Sequence, residues 1–260
     1  MELAPNTFKR AILAGRQQIG CWCTLSTSTS VEVVAGSGFD WLLLDTEHSP
    51  ADVLSVLPML QALSGYPVAP VVRPVGNDPV LIKRYLDFGV QTLLIPYVQN
   101  AAEARAAAEA VAYPPAGIRD VSSLTRATRY GRLPDYFARA RQEICLLVQV
   151  ESLQAVDQIE AIAAVEGVDG IFIGPADLAA SMGHNGNLGH PDVRAAVGEA
   201  IRRIRACGKP AGILTGDPAF AQHCIELGTV FTAVGIDMGL LANAADALAR
   251  KFGRGSAGEG

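Results

Sequence analysis

Leu146-Leu-Val-Gln-Val-Glu-Ser152 is the stretch whose reading decides the fold. It is a run of apolar and β-branched residues that ends in a carboxylate, the pattern of a buried strand. Side chains alternate along a strand, so Gln149 and Glu151 share one face at its far end. A second stretch ends the same way: Gly170-Ile-Phe-Ile-Gly-Pro-Ala-Asp177. Two buried strands that each finish in an acid can hold one divalent metal ion between them.

Outward from this pair, the punctuation is regular. Gly38 precedes an apolar run at 41–44, Gly89 one at 92–95, Gly167 one at 170–173, Gly208 one at 211–214 and Gly228 one at 230–234. A glycine just past a helix end adopts the left-handed conformation at little cost, and the chain then turns into a strand. Strands are expected near 19–25, 41–45, 68–72, 92–96, 144–150, 170–173, 211–214 and 230–236. A short helix is expected at 8–14, and Ser26-Thr-Ser-Thr-Ser30 offers N-caps for another that reaches about Ala35. Most strands are apolar at nearly every position, as parallel strands covered on both faces are. Eight such strands alternating with helices predict an α/β fold, a (β/α)8 TIM barrel. A doubly wound open sheet is the competitor, but it would carry a glycine-rich phosphate loop after its first strand, and none is present.

The barrel is expected to occupy residues 1–252 as one domain, with a disordered Gly/Ser tail at 253–260. The longest interruption, 113–132, contains four arginines (119, 126, 129 and 132) and reads as an elaborated loop after the fourth unit.

Bulk composition narrows the function classes. The 260 residues carry a net charge of −5, and no basic run suggests a nucleic-acid footprint. No apolar stretch reaches the roughly 18 residues of a membrane span. The N-terminus lacks the basic-then-apolar order of a signal peptide. Five cysteines without paired spacing read as reduced thiols. Together these readings predict a soluble cytoplasmic protein.

In a barrel, chemistry sits at the C-terminal ends of the strands. Those ends supply Asp45-Thr-Glu47-His48, Arg73, Gln149, Glu151 and Asp177. Glu151 and Asp177 are the metal candidates, and oxygen-only ligands favour a hard ion such as Mg2+ or Mn2+. The competing reading is that each acid caps the helix that follows it. His48 is the histidine at a strand end and the candidate general base. His184 and His190, in a Gly-rich loop, and His223, in a helix, read as solvated or structural. Arg73 would stabilise an oxyanion as charge develops, or would form a buried salt bridge to Asp45 or Glu47. Lys83 and Lys209 are not at strand C-termini, which argues against Schiff-base chemistry.

Six segments carry a resemblance: Gly38-Phe-Asp-Trp-Leu-Leu-Leu-Asp-Thr-Glu-His48, Val72-Arg-Pro74, Gln91-Thr-Leu-Leu-Ile-Pro96, Tyr113-Pro-Pro-Ala-Gly-Ile-Arg119, Val148-Gln-Val-Glu151 and Ile173-Gly-Pro-Ala-Asp177. In this order they resemble the class II, metal-dependent pyruvate aldolases of the 4-hydroxy-2-oxoheptanedioate and 2-dehydro-3-deoxyglucarate aldolase family, over about residues 8–252. The resemblance implies reversible cleavage of a 4-hydroxy-2-oxo acid to pyruvate, or a close 2-oxo acid such as hydroxypyruvate, and an aldehyde, by way of an enolate. It implies a divalent ion (Mg2+, Mn2+ or Co2+) on Glu151 and Asp177, chelated by the substrate. Gln149 and the backbone N–H groups of Ala176 and Asp177 would bind that substrate, with Trp22 and Leu214 in the pocket wall. His48 would be the acid/base, Arg73 the transition-state stabiliser, and Asp87 the aspartate that raises the basicity of the histidine. The position of Asp87, two residues before Gly89, instead points to the opposite mouth of the barrel. A homo-hexamer with a swapped C-terminal helix is also implied. Thr46 and Leu214-Thr-Gly216 depart from relatives in the wall for the aldehyde. Rival readings are oxaloacetate decarboxylation through the same enolate, a non-catalytic ligand-binding barrel, and a sugar-phosphate isomerase.

Overall fold

Eight parallel strands hydrogen-bond in sequence order and close on themselves in the computed structural model, which describes residues 2–254. They are β1 Gln18–Cys23, β2 Trp41–Asp45, β3 Ala69–Arg73, β4 Thr92–Ile95, β5 Cys145–Val150, β6 Gly170–Ile173, β7 Ala211–Leu214 and β8 Thr229–Ile236. Helix α1 (Thr7–Leu13) precedes the barrel. The first half is wrapped by α2 (Ser28–Ala35), α3 (Val53–Leu63), α4 (Pro79–Asp87), α5 (Ala101–Val111) and α6 (Tyr136–Glu143). The second half carries α7 (Leu153–Asp157), α8 (Ile159–Ala163), α9 (Pro175–Ser181), α10 (Pro191–Ala206), α11 (Pro218–Leu227) and α12 (Asp237–Lys251). This is the (β/α)8 barrel expected from the sequence. The five glycines that mark helix ends, 38, 89, 167, 208 and 228, all have φ between +76 and +112°.

Period-two alternation sorts the strand residues into two layers. In β5, Cys145 and Leu147 join Trp22, Trp41 and Phe172 inside the barrel. Leu146, Val148 and Val150 instead pack outward under the helices. The inner layer fits because large and small residues face one another. A Cβ on Gly20 would lie 2.2 Å from the Trp41 ring, and one on Gly212 would lie 2.1 Å from Phe231. Helix α1 closes the bottom of the barrel. Asn6 caps α1 by accepting from Lys9 N–H, while its own N–H donates to Glu143. Phe8 then packs at a tilt against Trp41 and edge-on against Phe231, with ring centroids 5.7 and 6.0 Å apart. With the bottom filled, the barrel interior opens at its C-terminal end.

Two boundaries differ from expectation for physical reasons. β1 ends at Cys23, because the carboxylate of Asp237 takes the N–H groups of Thr24 (2.8 Å) and Leu25 (3.2 Å). β3 extends to Arg73, which pairs in register with Asp45. Residues 255–260 of the expected tail lie outside the described residues. Among the described residues, no helix is long and apolar enough to cross a membrane.

Candidate active site

The register of β2 and β3 puts Asp45 beside Arg73 at the top of the barrel. The carboxylate receives Arg73 Nε at 2.8 Å and Nη2 at 2.7 Å, a two-bond fork that fixes the guanidinium plane. Glu47 Oε2 lies 2.9 Å from Nη1, and the Trp22 ring centroid is 5.2 Å from Arg73 Cζ. Burial opposes the Arg73 charge, but the bonds and field of Asp45 outweigh it and raise its pKa. The salt bridge expected as an alternative role for Arg73 therefore forms, and the residue also lines the cavity. Burial pushes the Glu47 carboxyl above its usual range; Arg73 offsets part of this, and Asp45 and Asp177 add to it.

β5 delivers Gln149 and Glu151 to the same opening. Glu151 Oε1 accepts the N–H of Tyr97 at 2.7 Å, and Oε2 accepts a short hydrogen bond from Gln149 Nε2. Tyr97 reaches that position with φ +53°, an unusual backbone for an aromatic residue. Gln149 Oε1 is buried without a hydrogen-bond partner among the described residues. Burial raises the Glu151 carboxyl to about 7, against the lowering effect of the Gln149 and Tyr97 bonds; the charges of Asp177 and Glu47 raise it further. Position 174 is open because it is glycine: a Cβ there would lie 2.4 Å from Glu151 Oε2.

Neither acid is a helix cap. Ser152, not Glu151, caps α7, and α9 has no side-chain cap bond although Asp177 lies in its first turn. The N–H groups of Ala176 and Asp177 have no acceptor among the described residues. Trp22, His48, Arg73, Gln149, Glu151, Ala176, Asp177 and Leu214 all border one cavity of about 630 Å³. His48 stands at its rim, with a side chain 66% exposed and Nε2 3.9 Å from Glu47 Oε2. No lysine borders it among the described residues.

Asp87 is not part of this cavity. At the C-terminal end of α4, its carboxylate pairs with Arg119 Nη2 at 2.8 Å, and Arg119 is fully buried over the Tyr113 ring. Within one chain, then, Asp87 anchors the 113–132 loop rather than touching His48.

The sequence pattern of the HpcH/HpaI aldolase/citrate lyase family matches residues 18–244. The chain belongs to this family. Among its relatives, "Pyruvate aldolase" of Rhizobium etli is 64% identical over 97% of this chain and 99% of that protein. "4-hydroxy-2-oxo-heptane-1,7-dioate aldolase" of Shigella flexneri is 56% identical over 96% of this chain and 94% of that one. The crystal structure of an HpcH/HpaI aldolase/citrate lyase family protein from Burkholderia cenocepacia superposes with a TM-score of 0.92 at 36% identity, covering 95% of this chain and 99% of the other.

The site of this HpcH/HpaI member includes groups that sequence reasoning missed. Ile236 and Met238, at the start of α12, line the cavity, and Asp237 ties them to Thr24 on the far side of the barrel seam. The acid ending of β8, Val234-Gly-Ile-Asp237, was the available signal. The Tyr97 main-chain contact left none, since backbone donors carry no residue-type signature.

Proposed function

We propose that this chain catalyses the reversible aldol cleavage of a 4-hydroxy-2-oxo acid to pyruvate, or a close 2-oxo acid such as hydroxypyruvate, and an aldehyde. Membership of its family makes it a carbon–carbon lyase. The observation that carries the reading is the gathering of a fork-held arginine, an acidic pair free of capping duties and a rim histidine around one cavity.

The donor set fits a divalent cation, Mg2+, Mn2+ or Co2+. Glu151 and Asp177 offer only hard oxygens. Burial and neighbouring acids disfavour the charge of Glu151, and a cation would relieve this. Gly174 keeps a Cβ away from Oε2. When bound, the cation supplies Lewis acidity toward the 2-keto oxygen of the substrate.

The chain's own residues do the rest. Gln149 and the unengaged N–H groups of Ala176 and Asp177 orient the substrate carboxylate. His48 accepts the proton of the C4 hydroxyl. As the C3–C4 bond breaks, its electrons pass into an enolate, the aldehyde leaves, and Arg73 stabilises the charge on the former keto oxygen. Return of the proton held by His48 to C3 then gives pyruvate and restores the base. Trp22 and Leu214 form apolar wall, and the Ile236–Met238 end of the cavity is the place for the aldehyde substituent. Asp87, if it tunes His48, does so across an interface between copies.

α12 supports a homo-hexamer with an exchanged C-terminal helix. Asp237 is its one buried residue among those described, and Leu240, Leu241 and Leu248 are 53, 59 and 58% exposed. A leucine-rich helix left off its own barrel is suited to covering another copy. A cytoplasmic location accords with five unbridged cysteines.

Glu151→Gln tests the metal assignment. The variant is expected to keep its fold, bind Mn2+ at least tenfold more weakly and lose pyruvate release by about 10²-fold or more. Undiminished activity of E151Q in the presence of chelator would contradict it.

A further inference from the structure

Between α9 and α10 the chain turns back on itself through residues 183–190. The N–H of His184 donates to Ala179 O at 2.8 Å, that of Asn187 to His184 O at 2.9 Å and that of His190 to Asn187 O at 3.1 Å. These bonds fix the backbone of both histidines, and their imidazoles lie face to face with centroids 3.6 Å apart and planes 18° from parallel. Asp192, at the start of α10, completes the group. Its Oδ2 is 3.9 Å from His184 Nε2 and 3.8 Å from His190 Nδ1. One donor atom from each of the three residues lies within 4.8 Å of the other two. Among the described residues no lysine or arginine pairs with Asp192.

We infer that His184, His190 and Asp192 form a second metal site, for a borderline divalent transition ion of the zinc class. Two imidazoles and one carboxylate are donors that select such ions over Mg2+, in contrast to the oxygen-only pair Glu151 and Asp177. Ligand bonds of about 2.0–2.2 Å around a tetrahedral ion need donors somewhat closer than they stand here, and binding must tilt the two stacked rings so that their in-plane lone pairs converge. Asp192, 71% exposed, is free to close that gap by rotation. The lone pair of His190 Nδ1 accepts the Asp192 N–H at 3.2 Å, a bond that an ion on Nδ1 would displace. The Asp192 carboxylate offsets the positive end of α10.

The placement gives the site a consequence. Leu188, between the two histidines, lines the active cavity, as do Val193 and Val197 of α10. An ion here clamps the loop to the helix and stiffens that cavity wall.

The test uses the full, tag-free chain carrying Glu151→Gln and Asp177→Asn, which removes the other metal site. Calorimetric titration with ZnCl2 alone is expected to show one ion per chain. Adding His184→Ala and His190→Ala should weaken binding by more than about tenfold. Because His190 also caps α10, His184→Gln alone, checked for unchanged circular dichroism, is the second variant and should weaken binding similarly. No Zn2+ bound by E151Q/D177N at millimolar concentration, or equal binding after the histidine substitutions, would overturn the inference. The latter result would place the ion at His48 or His223.

Discussion

Glu151 is held on three sides, and each contact has a different origin. The Tyr97 N–H fixes one oxygen, the Gln149 amide fixes the other, and Gly174 leaves the space beside it clear. The strand period made the Gln149–Glu151 pair legible, because alternate residues share a face whatever surrounds them. The other two contacts were not legible. One is a main-chain donor in a left-handed backbone, and the other depends on how closely β6 approaches β5. Gly174→Ala is the sharpest test of this arrangement. The added methyl would collide with Glu151 Oε2 and push the carboxylate from its place. The variant is expected to fold, to bind Mn2+ at least tenfold more weakly, and to lose turnover by about 10²-fold, since a misplacement of about 1 Å carries that cost. Isothermal titration and steady-state rates measure both effects; wild-type metal affinity would show that the space at 174 is not required.

At the scale of elements, α12 and the α8–α10 pair behave differently. α12 begins at a buried carboxylate that ties β8 to the loop after β1, then leaves the barrel with its leucines in solvent. Leu241→Glu with Leu248→Glu should therefore break the assembly while leaving the barrel folded. Light scattering is expected to show particles smaller than the wild type, with unchanged far-ultraviolet dichroism; an unchanged mass would remove α12 from the interface. Only the resemblance pointed to the exchange of the C-terminal helix, because amphipathic pattern does not say which copy a face covers.

Between α8 and α10, Glu160 receives two bonds from Arg203, at 2.8 and 2.6 Å. The Arg203 bond is the main cause holding the Glu160 carboxyl down at about 2, from an ordinary 4.5. A lowered folded pKa means stabilisation that is fully present above about 4.5 and lost as pH falls through about 2. The side chain of Glu160 is 56% exposed, so solvent screens the pair to about 1 kcal/mol or less. Urea unfolding of Glu160→Gln should show that small loss at pH 7 and a smaller one near pH 2. An equal loss at both would mean that the charge is not what stabilises the contact.

For the whole molecule, eight strands and their order could be read in the sequence because fully covered parallel strands are apolar throughout and glycines end the helices between them. The convergence of His48, Arg73, Glu151 and Asp177 followed from that topology, since a barrel brings all strand ends to one mouth. The same rule placed Asp87 at the other mouth, where it meets Arg119. Contacts made across the seam, such as Asp237 to Thr24, and the stacking of His184 on His190 depend on loop paths, which no residue pattern encodes. The most direct test is pyruvate release from a panel of 4-hydroxy-2-oxo acids, measured after EDTA treatment and again with Mn2+ or Mg2+ restored. Turnover is expected to disappear with chelator, to return with the ion, and to rank the substrates by the aldehyde each one yields. Pyruvate release indifferent to chelator would contradict the metal role of Glu151 and Asp177, and no release from any member of the panel would contradict the aldolase assignment itself.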